Sequence, residues 1–504
     1  MKLLLLLILV LPLVFAQRLD VNDFTYVGAF RFPASIPTDT STWAYGGTGL
    51  TYNPNGDPNG PNDNFTGSLF SISHDYQQYV GEISIPLPVI STSKNAAELP
   101  IATTIQPFAD ITEGLMQQAN NDNLGDIAYQ NGNLYWTVFE YYNLGTNYLS
   151  HGVSTTDLSN PHAQGVWRLG SQNDPEFFSS RTSNYLTSIP QTWTDLYAPS
   201  MTLASGRHRE AGAFGGSKGP ALYAYKPETL PYGASLQSKP LLWYNETYTY
   251  PEYKACDYWS GAAWIQAGNK SALLIAGRKS FGDEYYGDAR PTDCTIDKGY
   301  HCDPYESQII LYDTDELGAI ANGYEKPYQA QPYAIIRPTE YFWGTCSGEL
   351  GGAAYDSVHR TLYVIERGVD FTRNDAMPLI HVFKINTNEP TPNSSNQTTT
   401  QNAATNVSNS TPIQENPSNS PTYSQTSTPS VIANNEPEVV KQNTTPLVYT
   451  EENESKPTST NTTSASVKPT EDNNLLTIIL LAVVVLIIVI IASTYVIYKT
   501  LRKK

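Results

Sequence analysis

Apolar and polar positions divide the 504-residue chain into unlike stretches. Lys2 is followed by an apolar run from Leu3 to Phe15, and Val14, Phe15 and Ala16 close it with a small residue at the end. A charged start, a short apolar core and a small-residue exit predict a secretory signal peptide over residues 1–16, with Gln17 as the mature N-terminus. At the other end, Leu475 to Ile497 carries no charge. At ~1.5 Å per residue such a run crosses the ~30 Å hydrocarbon core of a bilayer. Tyr495 and Tyr498 fall where an interfacial aromatic belt lies, Lys499, Arg502, Lys503 and Lys504 follow, and Glu471 and Asp472 precede. Basic residues stay inside, so residues 475–497 are expected to form one transmembrane helix, 498–504 a cytoplasmic tail, and 17–474 the exterior. A cleaved lipid-anchor signal is the alternative, and the basic tail speaks against it. The expected location is the cell membrane, single-pass, with the function outside.

The exterior is itself two stretches. Residues 389–474 are Ser, Thr, Asn, Pro and Gln with scattered acids, and they lack the apolar surface needed to offset ordering entropy, so an extended stalk is predicted. It carries sequons at Asn393, Asn396, Asn406, Asn409, Asn443, Asn453 and Asn461; Asn64, Asn245 and Asn269 add three before it. That density in a Ser/Thr-rich segment predicts a glycosylated stalk. Residues 17–388 hold every tryptophan and all but four tyrosines. Short apolar-aromatic runs alternate there with Gly, Pro, Asn and Asp clusters, and no stretch keeps a helical period, which is the all-β signal.

Those runs recur in order. One unit is Gly46 to Tyr52, Ser68 to His74 and Tyr79 to Ile85. The next is Asp126 to Tyr129, Leu134 to Phe139 and Gly165 to Leu169. A looser unit ends in Ala221 to Tyr225. Then come Ala262 to Ile265, Ala272 to Ala276 and Gln308 to Tyr312, followed by Tyr333 to Arg337, and finally Gly352 to Tyr355, Thr361 to Ile365 and Ile380 to Ile385. A repeated four-strand unit predicts a β-propeller of five blades, with six blades or a sandwich pair as alternatives. The last unit lacks a fourth strand, which Phe24 to Phe32 is placed to supply, closing the ring and removing an exposed edge.

Charge narrows the partners. A net charge of −18 and a pI near 4.8 disfavour nucleic acid and anionic membrane surfaces, which are bound through clustered Lys and Arg. Cys256, Cys294, Cys302 and Cys346 all lie in the exported part, and an even number in an oxidising compartment predicts two disulfides. Of three pairings, Cys294–Cys302 with Cys256–Cys346 is expected; a zinc site is the weaker reading, since the spacings are wrong and His301 is the only histidine nearby. No metal-ligand set is assigned and no cofactor is expected. Calcium at the oxygen-rich loop Asn53 to Asn64 is the one ion suggested, but EF-hand spacing is absent and a surface turn is the better reading.

In a propeller, the loop entering a blade's first strand and the loop after its second lie on one face around the channel. That rule gathers His74, Asp75, Glu140, Arg278, Lys279, Glu366, Arg367, Asp126, Glu349 and the segment Arg207 to Glu210. A catalytic carboxylate pair is sought among Asp75, Glu140, Glu210 and Glu349, because glycoside cleavage needs an acid and a base or nucleophile across the bond. His74, Arg278 and Arg367 are the polar ligand contacts, and Tyr45, Tyr141, Tyr142 and Trp343 are the rings for stacking on sugar. The competing explanation is stronger: strand ends meet water and acids there cap turns. Gly215 to Gly219 spells a nucleophile elbow, but Pro220 and a strand-like run follow instead of a helix, so it reads as a turn. Asp313 to Leu317 reads as an acid-capped short helix.

The segments Phe24 to Arg31, Tyr45 to Leu50, Ile310 to Leu317, Pro332 to Ile335, Gly351 to Asp356 and Leu379 to Phe383 are similar to a group of uncharacterised secreted bacterial proteins. The Tyr/Asn-rich style with a Ser/Thr stalk also resembles archaeal surface proteins. The resemblance covers most of residues 17–388 and implies a shared propeller-like fold without an activity. The sequence therefore points to a cell-surface recognition or adhesion glycoprotein that binds glycans or another surface protein through the propeller face. An anchored glycan-active hydrolase or lyase is the alternative, and a structural envelope component the third.

Overall fold

The computed structural model describes residues 16–387 except 36–38, 59, 61–66, 142–147, 178, 208–215, 295–297, 345, 347 and 374. The expected signal peptide, stalk, transmembrane helix and tail lie outside these residues. Among the described residues no helix is long and apolar enough to cross a membrane.

Five antiparallel sheets form five blades of a propeller. Blade 1 is Leu50–Asn53, Ser68–Ile72, Val80–Ser84 and Thr104–Ala109; blade 2 is Asn123–Gln130, Asn133–Phe139, His151–Thr155 and Gln164–Leu169, with Ser235–Leu236 added in parallel on its outer edge. Blade 3 is Tyr185–Ser188, Leu203–Gly206, Leu222–Tyr225 and Ser238–Leu242, and blade 4 is Tyr258–Ala267, Lys270–Ser280, Tyr305–Tyr312 and Ala334–Ile336. Blade 5 is Leu350–Asp356, Thr361–Asp370 and Met377–Ile385, completed by Phe24–Arg31. Phe24 pairs with Ile385 and Arg31 with Leu379, so the N-terminal strand closes the ring as its pattern predicts.

One strand departs from the expected order. Gly165 to Leu169 belongs to the outermost strand of blade 2; the third is His151–Thr155, whose sequence holds a single aliphatic residue. Its burial comes from small and polar side chains instead. Gly152 lies where any Cβ would collide with the Trp136 ring, and Ser154 Oγ accepts the Trp136 indole N–H at 2.9 Å. A large aromatic on the neighbouring strand thus replaces the alternation that marks a strand in sequence.

The inner strands contact one another in a closed circle. Asp126 binds three of the blades together. One carboxyl oxygen accepts the N–H of Leu50 in blade 1 at 3.1 Å and of Ile127 at 2.8 Å; the other accepts the N–H of Leu186 in blade 3 at 2.8 Å. Burial pushes this carboxyl well above the usual carboxylate range, against the pull of those three bonds. Elsewhere the Thr51 hydroxyl accepts the Tyr129 N–H at 2.8 Å, Thr187 accepts the Trp264 N–H at 3.1 Å, Tyr355 donates to the Gln266 carbonyl at 3.2 Å, and the Gly352 N–H reaches the Gly47 carbonyl at 3.1 Å. Every neighbouring pair of blades is tied at its inner strands, which lets side chains between blades pack as separate apolar layers.

The disulfides correct the expected pairing. They join Cys256 to Cys302 and Cys294 to Cys346, with Cα separations of 6.0 and 5.1 Å. The chain between the second and third strands of blade 4 makes a hairpin, Tyr285–Gly287 with Gly299–His301. Its return strand delivers Cys302 to the buried base, where the Cys302 carbonyl accepts the Gly282 N–H and buried Cys256 lies beside it. Cys294 stays in the half-buried loop of that hairpin and meets exposed Cys346. Closeness in sequence misleads here because the hairpin separates the two thiols. The helix read from Asp313 is present as Thr314–Ala321, with the Asp313 carboxylate accepting the Asp315 N–H at 3.0 Å.

Two stability measurements follow. Asp126→Ala leaves three buried N–H groups without their acceptor, so urea unfolding should show a loss of about 3 kcal/mol or more. His151 is fully buried, with Nδ1 2.8 Å from the Ser150 hydroxyl, and burial lowers its pKa to about 3. The folded state refuses a proton that the unfolded chain accepts, so stability is present above the unfolded value and is lost as pH falls. Between about pH 7 and about pH 5 this histidine should cost about 2 kcal/mol. His151→Gln should remove that part of the pH slope.

Candidate functional site

The face holding the starts of the inner strands and the ends of the second strands carries a chain of charges across three blades. Asp75 follows the second strand of blade 1. Arg367 lies in the second strand of blade 5 and donates both carboxylate hydrogen bonds to Asp75, at 2.8 and 3.0 Å. Its other side reaches Glu349, which enters the inner strand of blade 5, at 3.5 Å. Glu349 then accepts from Arg278 of blade 4 at 2.9 Å. Arg278 lies 4.4 Å from the Tyr305 ring centre and 5.8 Å from that of Tyr258, within cation–π range. Burial draws the Arg367 guanidinium down, but the Asp75 and Glu349 carboxylates outweigh it and push it up.

Arg367 also fixes the backbone beside it. Its guanidinium donates to the Tyr45 carbonyl at 2.7 Å and the Gly46 carbonyl at 3.1 Å, and the Tyr45 N–H reaches the Ala376 carbonyl at 2.9 Å. Tyr45 is held at φ 56°, a left-handed conformation that costs a non-glycine residue about 1 kcal/mol or more unless its surroundings enforce it. The ring gains little from burial, since Tyr45 is 50% exposed. It meets His74 edge-on at 5.5 Å, and His74 stacks on Tyr76 at 5.0 Å. Tyr76 is 89% exposed. Three adjacent rings thus stand beside a carboxylate whose side chain is 49% exposed.

Of the residues gathered from sequence, Tyr45, His74, Asp75, Arg278, Glu349 and Arg367 come together. Glu140 and Tyr141 follow the second strand of blade 2, and their carbonyls accept from buried Arg207 at 3.2 and 3.4 Å. Trp343 does not reach the channel face. Its backbone N–H donates to Glu366 at 2.8 Å, and its ring packs with Ala29 and Leu379 of the outer strands of blade 5 and with Leu99 of the blade 1 connection. Glu366 is buried and bound to His381 at 2.8 Å. Glu210, Tyr142 and Asn64 lie outside the described residues, as do positions 59 and 61–63 of the oxygen-rich loop after Asn53. Asn245 builds a turn by accepting the N–H groups of Thr247 and Tyr248, and Asn269 sits exposed on the opposite face, at the turn between the first two strands of blade 4. Ser217, from the elbow-like letters, is buried and accepts the Tyr244 N–H at 2.9 Å, a structural role.

Sequence reasoning missed Tyr76, Tyr258 and Tyr305. Tyr76 stands two residues past a strand end, and its position next to His74 was its one available signal. A cavity of about 540 Å³ opens at the other end of the channel, lined in part by Tyr52, Tyr129, Trp264 and Tyr355. Two of its polar residues are already engaged: Gln266 accepts from Thr192 and Tyr355, and Asp356 accepts the N–H groups of Val358 and His359. The charged face adds exposed Tyr45 and Tyr76 beside its ion pairs.

No family model and no curated protein matches the chain. Among solved structures, an exo-1,5-alpha-L-arabinanase from a bovine ruminal metagenomic library is similar at 12% identity and a TM-score of 0.31, over 62% of this chain and 88% of that one. Nothing about activity is carried over from it.

Arg367→Met should cost about 2–3 kcal/mol in urea unfolding, because it removes the donor to the Tyr45 and Gly46 carbonyls and to Asp75 and so releases the Tyr45 loop. Asp75→Asn should cost under about 1 kcal/mol, since that end of the chain of charges is half exposed.

Proposed function

We propose that this protein is a cell-surface recognition glycoprotein whose channel face binds a glycan. The observation that carries the reading is the row Tyr45, His74 and Tyr76 beside the Asp75 carboxylate. Sugars present apolar C–H faces and rings of hydroxyls, so they are recognised by exposed aromatic planes next to a fixed acceptor. The strained Tyr45 backbone supports this, since strain enforced by neighbouring hydrogen bonds collects where a side chain must be presented. Arg367 is the positioning residue: it holds Asp75 and the Tyr45 carbonyl at once.

Binding is favoured over hydrolysis by how the acids are used. Asp75 and Glu349 spend their oxygens on Arg367 and Arg278 rather than facing each other across an open gap. A glycosidase pair needs room for the sugar bond between its carboxyl groups. In this reading the signal peptide, the stalk and the 475–497 span display the propeller outside the cell.

The test incubates the purified chain with glycans released from its own cell envelope and scores retention and free sugar separately. Retention without release is expected, with about a tenfold loss for Tyr45→Ala or Tyr76→Ala, the scale of one lost aromatic contact. Sugar release that disappears in Glu349→Gln would replace this reading with an enzyme. Equal retention by both tyrosine variants would overturn the platform.

A further inference from the structure

The hairpin inserted between the second and third strands of blade 4 contains a set of groups that neither the propeller nor the charged face uses. Asp293 lies in its loop, His301 ends its return strand and Asp303 follows two residues on. One ligand atom from each, two carboxylate oxygens and an imidazole nitrogen, lies within 4.8 Å of the others. We propose that Asp293, His301 and Asp303 form a binding site for one divalent transition-metal ion of the zinc type.

The hydrogen bonds give the set its polarity. His301 is fully buried, and its Nε2 lies 3.3 Å from the Gly287 carbonyl, which only accepts. Nε2 can donate to that carbonyl, which leaves Nδ1 as the ring atom on the Asp293 side, 3.5 Å from Asp293 Oδ2. Asp303 uses one oxygen to accept the Cys294 N–H at 2.7 Å, while its Oδ2 is buried with no hydrogen-bond partner. A buried carboxylate oxygen left unmatched is costly. An imidazole nitrogen and two carboxylates that converge in this way are stabilised by a positive centre among them.

The ligand chemistry selects the ion. Imidazole nitrogen suits zinc and its neighbours, whereas calcium takes six to eight oxygens. One nitrogen and two carboxylate oxygens, with water in the remaining position, match a tetrahedral zinc set. The surroundings supply the outer contacts such sites use: the Gly287 carbonyl orients the imidazole, the Tyr285 hydroxyl and the Arg290 N–H donate to Asp293, and the Cys294 N–H donates to Asp303. Tyr285 stacks on His301 at 4.9 Å and Arg290 covers the outer face of Tyr285 at 3.8 Å.

The position gives the ion a structural task. Cys294 and Cys302 follow or adjoin the ligands, and their disulfides run to Cys346, three residues before Glu349, and to Cys256, two before Tyr258. An ion here fastens the inserted hairpin onto the same wall that carries Arg278 and Glu349. This role is independent of what the channel face binds.

The experiment uses the full chain without an affinity tag, stripped with a chelator, then equilibrated with zinc chloride or calcium chloride and gel-filtered. Metal content and melting temperature are read together. One zinc per chain and a zinc-dependent rise in melting temperature are expected. Asp303→Asn and His301→Gln should each weaken zinc binding by about tenfold or more and abolish the rise. Non-reducing peptide mapping shows whether each variant keeps both disulfides, and the wild-type melting shift stands even if a variant does not fold. A wild-type chain that retains no zinc and melts unchanged overturns the proposal. So does calcium retained in place of zinc, or a folded Asp303→Asn chain that holds zinc as tightly as the wild type.

Discussion

The carboxyl group of Asp126 sits where a propeller is hardest to satisfy. Inner strands converge on the axis, and backbone groups at their starts have no further strand to pair with. A buried N–H without an acceptor costs about 1–3 kcal/mol, so each must be answered locally. One short acid with two oxygens answers Leu50, Ile127 and Leu186 together, and those three residues belong to blades 1, 2 and 3. The carboxyl thereby sets the distance and register of half the ring. A longer side chain would fill the axis, and a hydroxyl offers too few acceptors for three blades.

Once those blades are fixed, the rest of the ring has to close on blade 5. The closing device is the N-terminal strand, which pairs along its length with Met377–Ile385. The charged face lies over the same closure: Asp75 belongs to blade 1, Arg367 and Glu349 to blade 5, and Arg278 to blade 4. Alternating charges on neighbouring blades resist sliding, because any shift separates two ion pairs at once. Arg367 suits this place because a guanidinium can bond two carboxylates and two carbonyls in one plane, which an ammonium cannot. The same residue that seals the junction also holds the Tyr45 backbone in its strained state. Closure of the fold and presentation of the ring are thus one set of bonds.

Much of this was legible in the sequence where the pattern is periodic. The inner strands Leu50–Asn53 and Leu350–Asp356 and the closing strand Phe24–Arg31 follow from alternation and from the need to remove an edge. The convergence of Asp75, Arg278, Glu349 and Arg367 follows from one topological rule applied to strand ends. The strand His151–Thr155 was hidden because its burial depends on a glycine making room for Trp136, not on its own apolar residues. Trp343 was misplaced because composition cannot tell a ring that stacks on ligand from one that packs under a blade. The disulfides were mispaired because loop length alone favours the nearest cysteines, whereas a hairpin sends its two ends to different depths.

Asp126, named from sequence as a face residue, shows the general difficulty most sharply. Its position at the start of an inner strand is the same kind of position that Glu349 occupies, and the two carry the same charge. What separates them is depth. Asp126 has backbone donors on every side and no exposure, while Glu349 meets guanidinium groups at a surface that solvent reaches. A repeat places equivalent residues at equivalent heights, but insertions change which of them remain covered. Blade 4 carries the disulfide-bonded hairpin over its end of the face, and blade 1 leaves Asp75 and Tyr76 open. The channel face is therefore asymmetric in spite of the repeat, with its exposed rings at the blade 1 side and its covered charges at the blade 4 side. The exposed rings and the covered ion pairs are thereby set apart on one surface, although Arg367 bonds to both.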